Sequence, residues 1–279
     1  MMNKTSRLSA APFALWMTLF TVVPLGVVVW FAFTNDAGQF TFENVWAIGN
    51  YVGVFANSIK LGAIATVICL LLAYPLAYSI SRKSQRVQQT MVMMVMLPMW
   101  MNFLLRTYAW MSILENNGWI NRLFRMIGVL GETESFALIN TEGAVVLGMV
   151  YNFLPFMVIP LYSVMVKIDG RVTEAAQDLG ANGYHVFRRV ILPLSAPGIV
   201  TGITMVFVPA VSTFVISKLL GGGKDLMIGD AIELKFIGQA QNYHVGASLS
   251  LVLMILILLC MVVTNKVDNT DGEGGGLVI

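Results

Sequence analysis

The sequence predicts an all-α integral membrane protein of about six transmembrane helices. Three observations carry that prediction. Charged residues make up only 11% of the 279 residues and hydrophobic ones 57%, where a soluble domain carries roughly 25% charge. Six apolar runs reach the roughly 20 residues a helix needs to cross a bilayer. Basic residues collect on one side of those runs.

In chain order, the spans are expected near 11–33, 59–80, 90–114, 143–165, 196–217 and 245–264. Each is too long and too continuously apolar for the alternating strands of a barrel, so helices are predicted. The first run is too long for a cleavable leader and lacks a small-residue cleavage site, which makes it a retained span. Trp16, Trp30, Trp110 and Trp119 stand near run ends, where amphipathic rings suit the interface. One side gathers Lys4, Arg7, Arg82, Lys83, Arg86, Lys167, Arg171, Arg188, Arg189 and Lys266. The other has Lys60, Arg122, Arg125, Lys218, Lys224 and Lys235. Basic loops are retained in the cytoplasm, so both termini and the loop at 167–195 are placed inside. The expected organisation is a cytoplasmic segment at 1–10, a membrane domain at 11–267 and a Gly-rich, acidic, disordered tail at 268–279. The outer loops at 35–58 and 115–142 are long enough for short interfacial helices.

Several functions are disfavoured. A net charge of +2 from 17 basic and 15 acidic residues gives no clustered basic face for nucleic acid. Cys69 and Cys260 lie in apolar runs, which suits neither a disulfide framework nor a metal site. His185 and His244 fall on opposite sides of the membrane and are read as surface histidines. No Ser/His/Asp set, paired carboxylates or metal-ligand spacing is visible, so no catalytic residue and no metal site are assigned. No phosphate-binding G-x-x-x-x-G-K-[ST] loop is present: Gly221-Gly222-Gly223-Lys224 is followed by Asp225, and Lys218 takes the place of the first glycine.

The loop at 167–195 has the marks of a docking element. Thr173 is a candidate helix cap, and Glu174 and Asp178 suit the positive end of the dipole. Ala175, Ala176 and Leu179 share a face, and Gly180 can take the left-handed conformation that ends a helix. A second short helix is expected at 182–191, with Tyr184, Phe187 and Ile191 on one side. Pro193 and Pro197 should break the backbone before the fifth span.

Glu174-Ala175-Ala176, three residues, Gly180, nine residues, Val190, one residue, Leu192-Pro193 resembles the EAA motif of binding-protein-dependent ABC importer permeases. That pattern has isoleucine where Val190 stands. Leu97-Pro98-Met99-Trp100-Met101-Asn102 with Arg106-Thr107-Tyr108 is similar to the third span of the spermidine/putrescine permeases in that family. Leu154-Pro155-Phe156-Met157 with Pro160-Leu161-Tyr162-Ser163, and Leu219-Leu220-Gly221-Gly222 with Ile228-Gly229, are similar to later stretches. The resemblance implies a type I ABC importer permease fold and the first of two permease subunits, in a bacterial plasma (inner) membrane. It implies ATPase contact through Glu174, Ala175, Ala176 and Gly180, with Leu192 and Pro193 completing the motif. The partners it implies are a second permease, two ATPase subunits that bind the ATP, and an extracytoplasmic solute-binding protein. This chain itself is assigned no cofactor. Polyamine is the solute implied; another solute such as an anion or metal ion, or an ion-driven carrier, stays open.

Polar groups inside spans usually line a cavity or an interface. Trp100, Asn102, Arg106, Tyr108 and Trp110 in the third span, and Tyr151 and Asn152 in the fourth, are the pathway candidates. On one continuous helix Asn102 and Arg106 share a face, and Trp100 and Tyr108 stand roughly 80° apart. An aromatic face of that kind would hold a polyamine through cation–π contact; packing against a partner subunit is the other reading. Arg106 repels a polyamine and is expected to pair with an acid on the opposing subunit or on the binding protein, or to snorkel outward where the rings pack against a partner subunit. Glu115, Glu132, Glu134 and Glu142 are outer acids that would attract a cation or dock the binding protein.

Overall fold

The computed structural model describes residues 12–13, 15–131, 133–224, 226–238 and 241–273. The cytoplasmic segment expected at 1–10 therefore lies outside the described residues, as do Glu132 and Asp225. The regular structure is helical apart from one isolated bridge between Thr34 and Phe40. Four helices are long and apolar enough to cross a membrane: α1 (Leu15–Ala32), one within Glu43–Ser81, one at Glu142–Met165 and one at Tyr243–Val262. Two more spans are bent pairs, so the count reaches the expected six only if each pair is one span.

The second of those helices begins after a short α2 (Glu43–Trp46) and a 3-10 turn at Ala47–Tyr51. These are the interfacial turns expected in the first outer loop. It then runs as α3 (Val52–Ser81), seven residues earlier than expected.

The third span is corrected. Instead of one helix at 90–114 there is α4 (Gln85–Met96), a 3-10 turn at Leu97–Trp100, and α5 (Phe103–Leu114), with an 87° change of axis. The cause is local. Asn102 Oδ1 accepts from Leu104 N–H at 2.8 Å and Leu105 N–H at 3.4 Å, a strong N-cap that starts a new helix. The outer loop then holds α6 (Trp119–Met126), and Thr141 caps α7 (Glu142–Met165) by accepting from Ala144 N–H.

On the expected cytoplasmic side come α8 (Gly170–Asp178), α9 (Gly183–Val186), a π turn at Phe187–Ile191 and α10 (Leu192–Ser212). The expected break at Pro193 and Pro197 is corrected to a bend: the chain stays helical and its axis turns by 63° between Gly183–Leu194 and Ala196–Ser212. Pro193 has no N–H and its ring crowds the carbonyl four residues back; the wide π turn lies just where that strain falls. The fifth span also ends early. Thr213 and Phe214 leave helical geometry, and α11 (Val215–Leu220) follows as a separate element. Then come α12 (Ile228–Phe236) and α13 (Tyr243–Glu273). α13 continues through 268–273, since extending a formed helix adds one bond per residue fixed. Residues 274–279 lie outside the described residues.

The described residues form two compact units. One comprises Val54–Asp230 with Ile257–Ile279. Its core is built on small residues four apart, which let membrane helices approach closely. Ala65, Cys69, Ala73 and Ala77 make a fully buried stripe along α3. Gly198 and Gly202 on α10 lie against α7, where Pro160, Leu161 and Met157 face them. Gly148 on α7 accommodates Leu220 and Ile216 of α11.

The other unit comprises Met1–Gly53 with Ala231–Leu256. Here side chains satisfy the last carbonyls of α1. His244 Nδ1 meets Phe31 O at 2.9 Å, Ser248 Oγ donates to Ala32 O at 3.1 Å, and Asn44 Nδ2 donates to Ala32 O and Thr34 O. His244 is thereby corrected from a surface residue to a mostly buried one, its Nε2 3.2 Å from Asp36 Oδ1. His185 is exposed as expected.

Candidate functional site

The 170–195 loop is a helix–turn–helix clamped to the bundle at one end only. Asp169, not Thr173, caps α8: its carboxylate accepts from Arg171 N–H at 3.0 Å. Thr173 lies inside the helix and donates to Gly170 O. The expected cap at Thr173 is thereby corrected: Asp169 caps because it immediately precedes the glycine that opens the helix. Gly180 takes φ +86°, the left-handed value expected of it, and its N–H closes on Gln177 O at 2.8 Å. Asn182 caps α9 by accepting from His185 N–H.

Beyond that cap the second helix docks. The expected face of Tyr184, Phe187 and Ile191 is only partly correct. Val186 and Ile191 are the buried pair, five apart, a spacing that the π turn brings to one side. Phe187 stands edge-on to the Tyr74 ring of α3 at 5.6 Å. The Tyr74 hydroxyl lies 2.9 Å from Ser195 Oγ. Leu192 and Pro193 therefore sit at the root of the loop, where it joins α10. The tip makes no such contact. Leu179 is 89% exposed, and Glu174 and Ala175 are exposed with it, Ala176 half-buried. Ala176, Leu179 and Gly180 border an open groove of about 410 Å³ whose far wall carries His185 and Arg189.

Tyr74 is thus the strut between loop and bundle. Tyr74→Ala is expected to lower transport severely while Tyr74→Phe stays near normal, because the ring contact carries the load and a single hydrogen bond is worth only about 1 kcal/mol. Uptake by cells expressing either variant with the complete transporter checks this. Equal loss in both variants would place the role in the hydroxyl instead.

The pathway candidates scatter. Trp100 lies on the 3-10 turn, 73% exposed, across the bend from Tyr108, which is also exposed. Their common helical face is therefore corrected: no continuous helix joins them. Asn102 is committed to capping. Trp110 and Tyr151 do come together, edge to face at 5.4 Å, and line an apolar hollow of about 540 Å³ with Ile68 and Leu154. Asn152 is 3% exposed and donates to Gly148 O at 2.8 Å, while its Oδ1 is sealed without a partner. Arg106 is 8% exposed and buried.

The outer acids are mostly engaged. Glu142 takes Lys60 Nζ at 2.5 Å, and Glu134 accepts from Gly131 N–H. Missed in the sequence was Asp230, buried, which accepts from Ser217 Oγ and from Met227 N–H, each at 2.9 Å. Three residues inside α12, it completes the acidic half of a capping box; Asp at that spacing from a helix start was the signal. Asn121 was missed too. Fully buried, it donates to Glu115 O and Phe136 O and accepts from Phe136 N–H, organising the second outer loop.

A bundle of membrane-length helices carrying one exposed helical tip on a clamped root defines an integral membrane permease. The profile of the family described as binding-protein-dependent transport system inner membrane component matches residues 70–268. The chain belongs to that family and is an inner-membrane permease component of a binding-protein-dependent transport system. It is 38% identical to a spermidine/putrescine transport system permease protein PotB of Haemophilus influenzae, over 97% of this chain and 98% of that one. The PotB of Escherichia coli is 34% identical over 89% of this chain and 92% of its own. A solved bacterial alginate ABC transporter, in complex with its alginate pentasaccharide-bound periplasmic protein, contains a chain that superposes with a TM-score of 0.77 at 14% identity, covering 94% of this chain and 93% of that one. At that identity the likeness is one of fold.

Proposed function

We propose that this chain is one half of the translocation pathway of an ATP-driven polyamine importer, moved from the cytoplasm through the Glu174 loop. The observation that carries the coupling role is the loop's asymmetry. Its root is buried against α3 and α10, while Glu174, Ala175 and Leu179 at its tip are exposed. A short helix held rigidly at one end transmits a push. The solute is drawn from the two permeases of 38% and 34% identity, both named for spermidine and putrescine. The chain hydrolyses nothing itself. ATP binds to two separate ATPase subunits, a second permease completes the pathway, and an extracytoplasmic binding protein delivers the solute. Trp110 and Tyr151 supply an aromatic wall, each ring able to contribute roughly 0.5–2 kcal/mol toward a cation.

Proteoliposomes containing the complete transporter are expected to accumulate labelled spermidine or putrescine only with ATP inside the ATPase-facing compartment. Glu174→Arg is expected to cut that uptake at least about tenfold, by reversing charge in a docking contact. Normal uptake by Glu174→Arg with full ATPase assembly would falsify the coupling role. Uptake of another solute alone would overturn the polyamine assignment and leave the permease role standing.

A further inference from the structure

Among the described residues, Arg106 is a buried cation without a counter-ion. Its Nε and Nη1 are sealed from solvent with no hydrogen-bond partner among the described residues, while Nη2 is not sealed. A guanidinium keeps its charge in any protein setting, so it cannot escape burial by losing a proton. Its position worsens the problem. It follows the Asn102 cap by four residues, near the start of α5, where the helix dipole is itself positive. Among the described acids of its own unit none pairs with it: Glu142 holds Lys60, Asp230 holds Ser217 and Met227, Glu134 closes its own loop, Glu115 is exposed at the opposite end of α5, and Asp169, Glu174 and Asp178 belong to the 170–195 loop. The surface beside it is apolar and uncovered, with Trp100, Met101, Leu105 and Tyr108 all exposed.

An apolar surface around one unanswered cation fits a membrane helix that carries one carboxylate. We propose that Arg106 receives an Asp or Glu side chain from the second permease subunit, and that the break at 101–102 is part of the contact between the two. The planar fork of a guanidinium binds a carboxylate through two parallel bonds, and Nη2, the one nitrogen of the three that is not sealed, is the end a partner's carboxylate meets first. This inference rests on the proposal that the chain works as half of a pair. It removes the conflict between a fixed positive charge and a cationic solute, because the charge is neutralised at the subunit contact and does not face the pathway.

The test uses the complete co-expressed transporter and reads recovery of the second permease on a tag carried by this chain. Arg106→Met is expected to reach the membrane at the wild-type level, since no buried charge remains, and to lose at least about tenfold in partner recovery. Arg106→Lys should keep most of it. Arg106→Glu should lose it and regain it when one acid in a span of the second permease is exchanged for Arg or Lys. Wild-type recovery in Arg106→Met or Arg106→Glu overturns the proposal. So does a restoring exchange that maps to this chain or to the binding protein, or a loss that follows the lipid composition instead. If the wild-type chain recovers no second permease at all, the half-pathway reading fails at the control, before any variant is compared.

Discussion

Gly198→Leu is expected to remove the folded subunit from the membrane. A Cβ built at Gly198 would stand 3.0 Å from Pro160 O, 3.2 Å from Leu161 Cα and 3.2 Å from Val164 Cβ. Two of these atoms are backbone and the third is fixed to it, so none can swing aside. Overfilling a packed contact costs roughly 1–3 kcal/mol for a few atoms, and a leucine adds more than that at the closest approach of α7 and α10. Gly202 makes the contrast. Its nearest obstacle is Met157 Sδ at 2.6 Å, the movable end of a flexible side chain. Gly202→Ala is therefore expected to be nearly neutral, since alanine also returns about 1 kcal/mol of helix propensity. Gly198→Ala should lie between the two. Monodisperse yield and thermal midpoint in detergent check the order. A Gly198→Leu subunit with the wild-type midpoint would show that the helices do not meet this closely.

Gly180→Val is expected to uncouple the transporter while leaving the bundle folded. At φ +86° a side chain pays roughly 1–2 kcal/mol, and a β-branched one more. No atom stands within 4 Å of a Cβ at this position, so the penalty is conformational and owes nothing to crowding. That separation predicts an order: Asn, which tolerates the left-handed region, should keep most uptake, Ala less and Val least. The chain's own thermal midpoint should stay within a few degrees, because the turn is exposed and far from the core. ATP-dependent uptake by reconstituted transporter, read beside ATPase co-purification, checks this. If Asn and Val lose activity equally, the position is sensitive to any side chain and the docking surface, not the turn, is responsible.

The coupling loop was largely legible in the sequence because its signals are local. Gly180 ends a helix for reasons contained in one residue, and Asn182 starts the next with its own side chain. The spans were legible for a similar reason: hydropathy over about 20 residues depends on nothing distant. The third span shows where that fails. Its apolar run is continuous from 90 to 114, so composition draws one helix, yet Asn102 caps and the axis turns by 87°. Cap preference is present in the residue type, but a polar residue in an apolar run reads equally as a pathway group. Trp100 and Tyr108 lost their shared face as a direct result. The second face of the loop was misjudged because a π turn has no sequence signature of its own, and it moved the buried register from Tyr184 to Val186.

Membrane residence, the helical class, the two short helices of the 170–195 loop and the family follow from residue types and their spacing along the chain. Those properties arise from solvent preference and from bonds between near neighbours. Which small residues become contacts, where an apolar run bends, and that Arg106 is buried with two sealed nitrogens were decided only by the folded bundle. Each depends on groups far apart in sequence reaching, or failing to reach, one another in space.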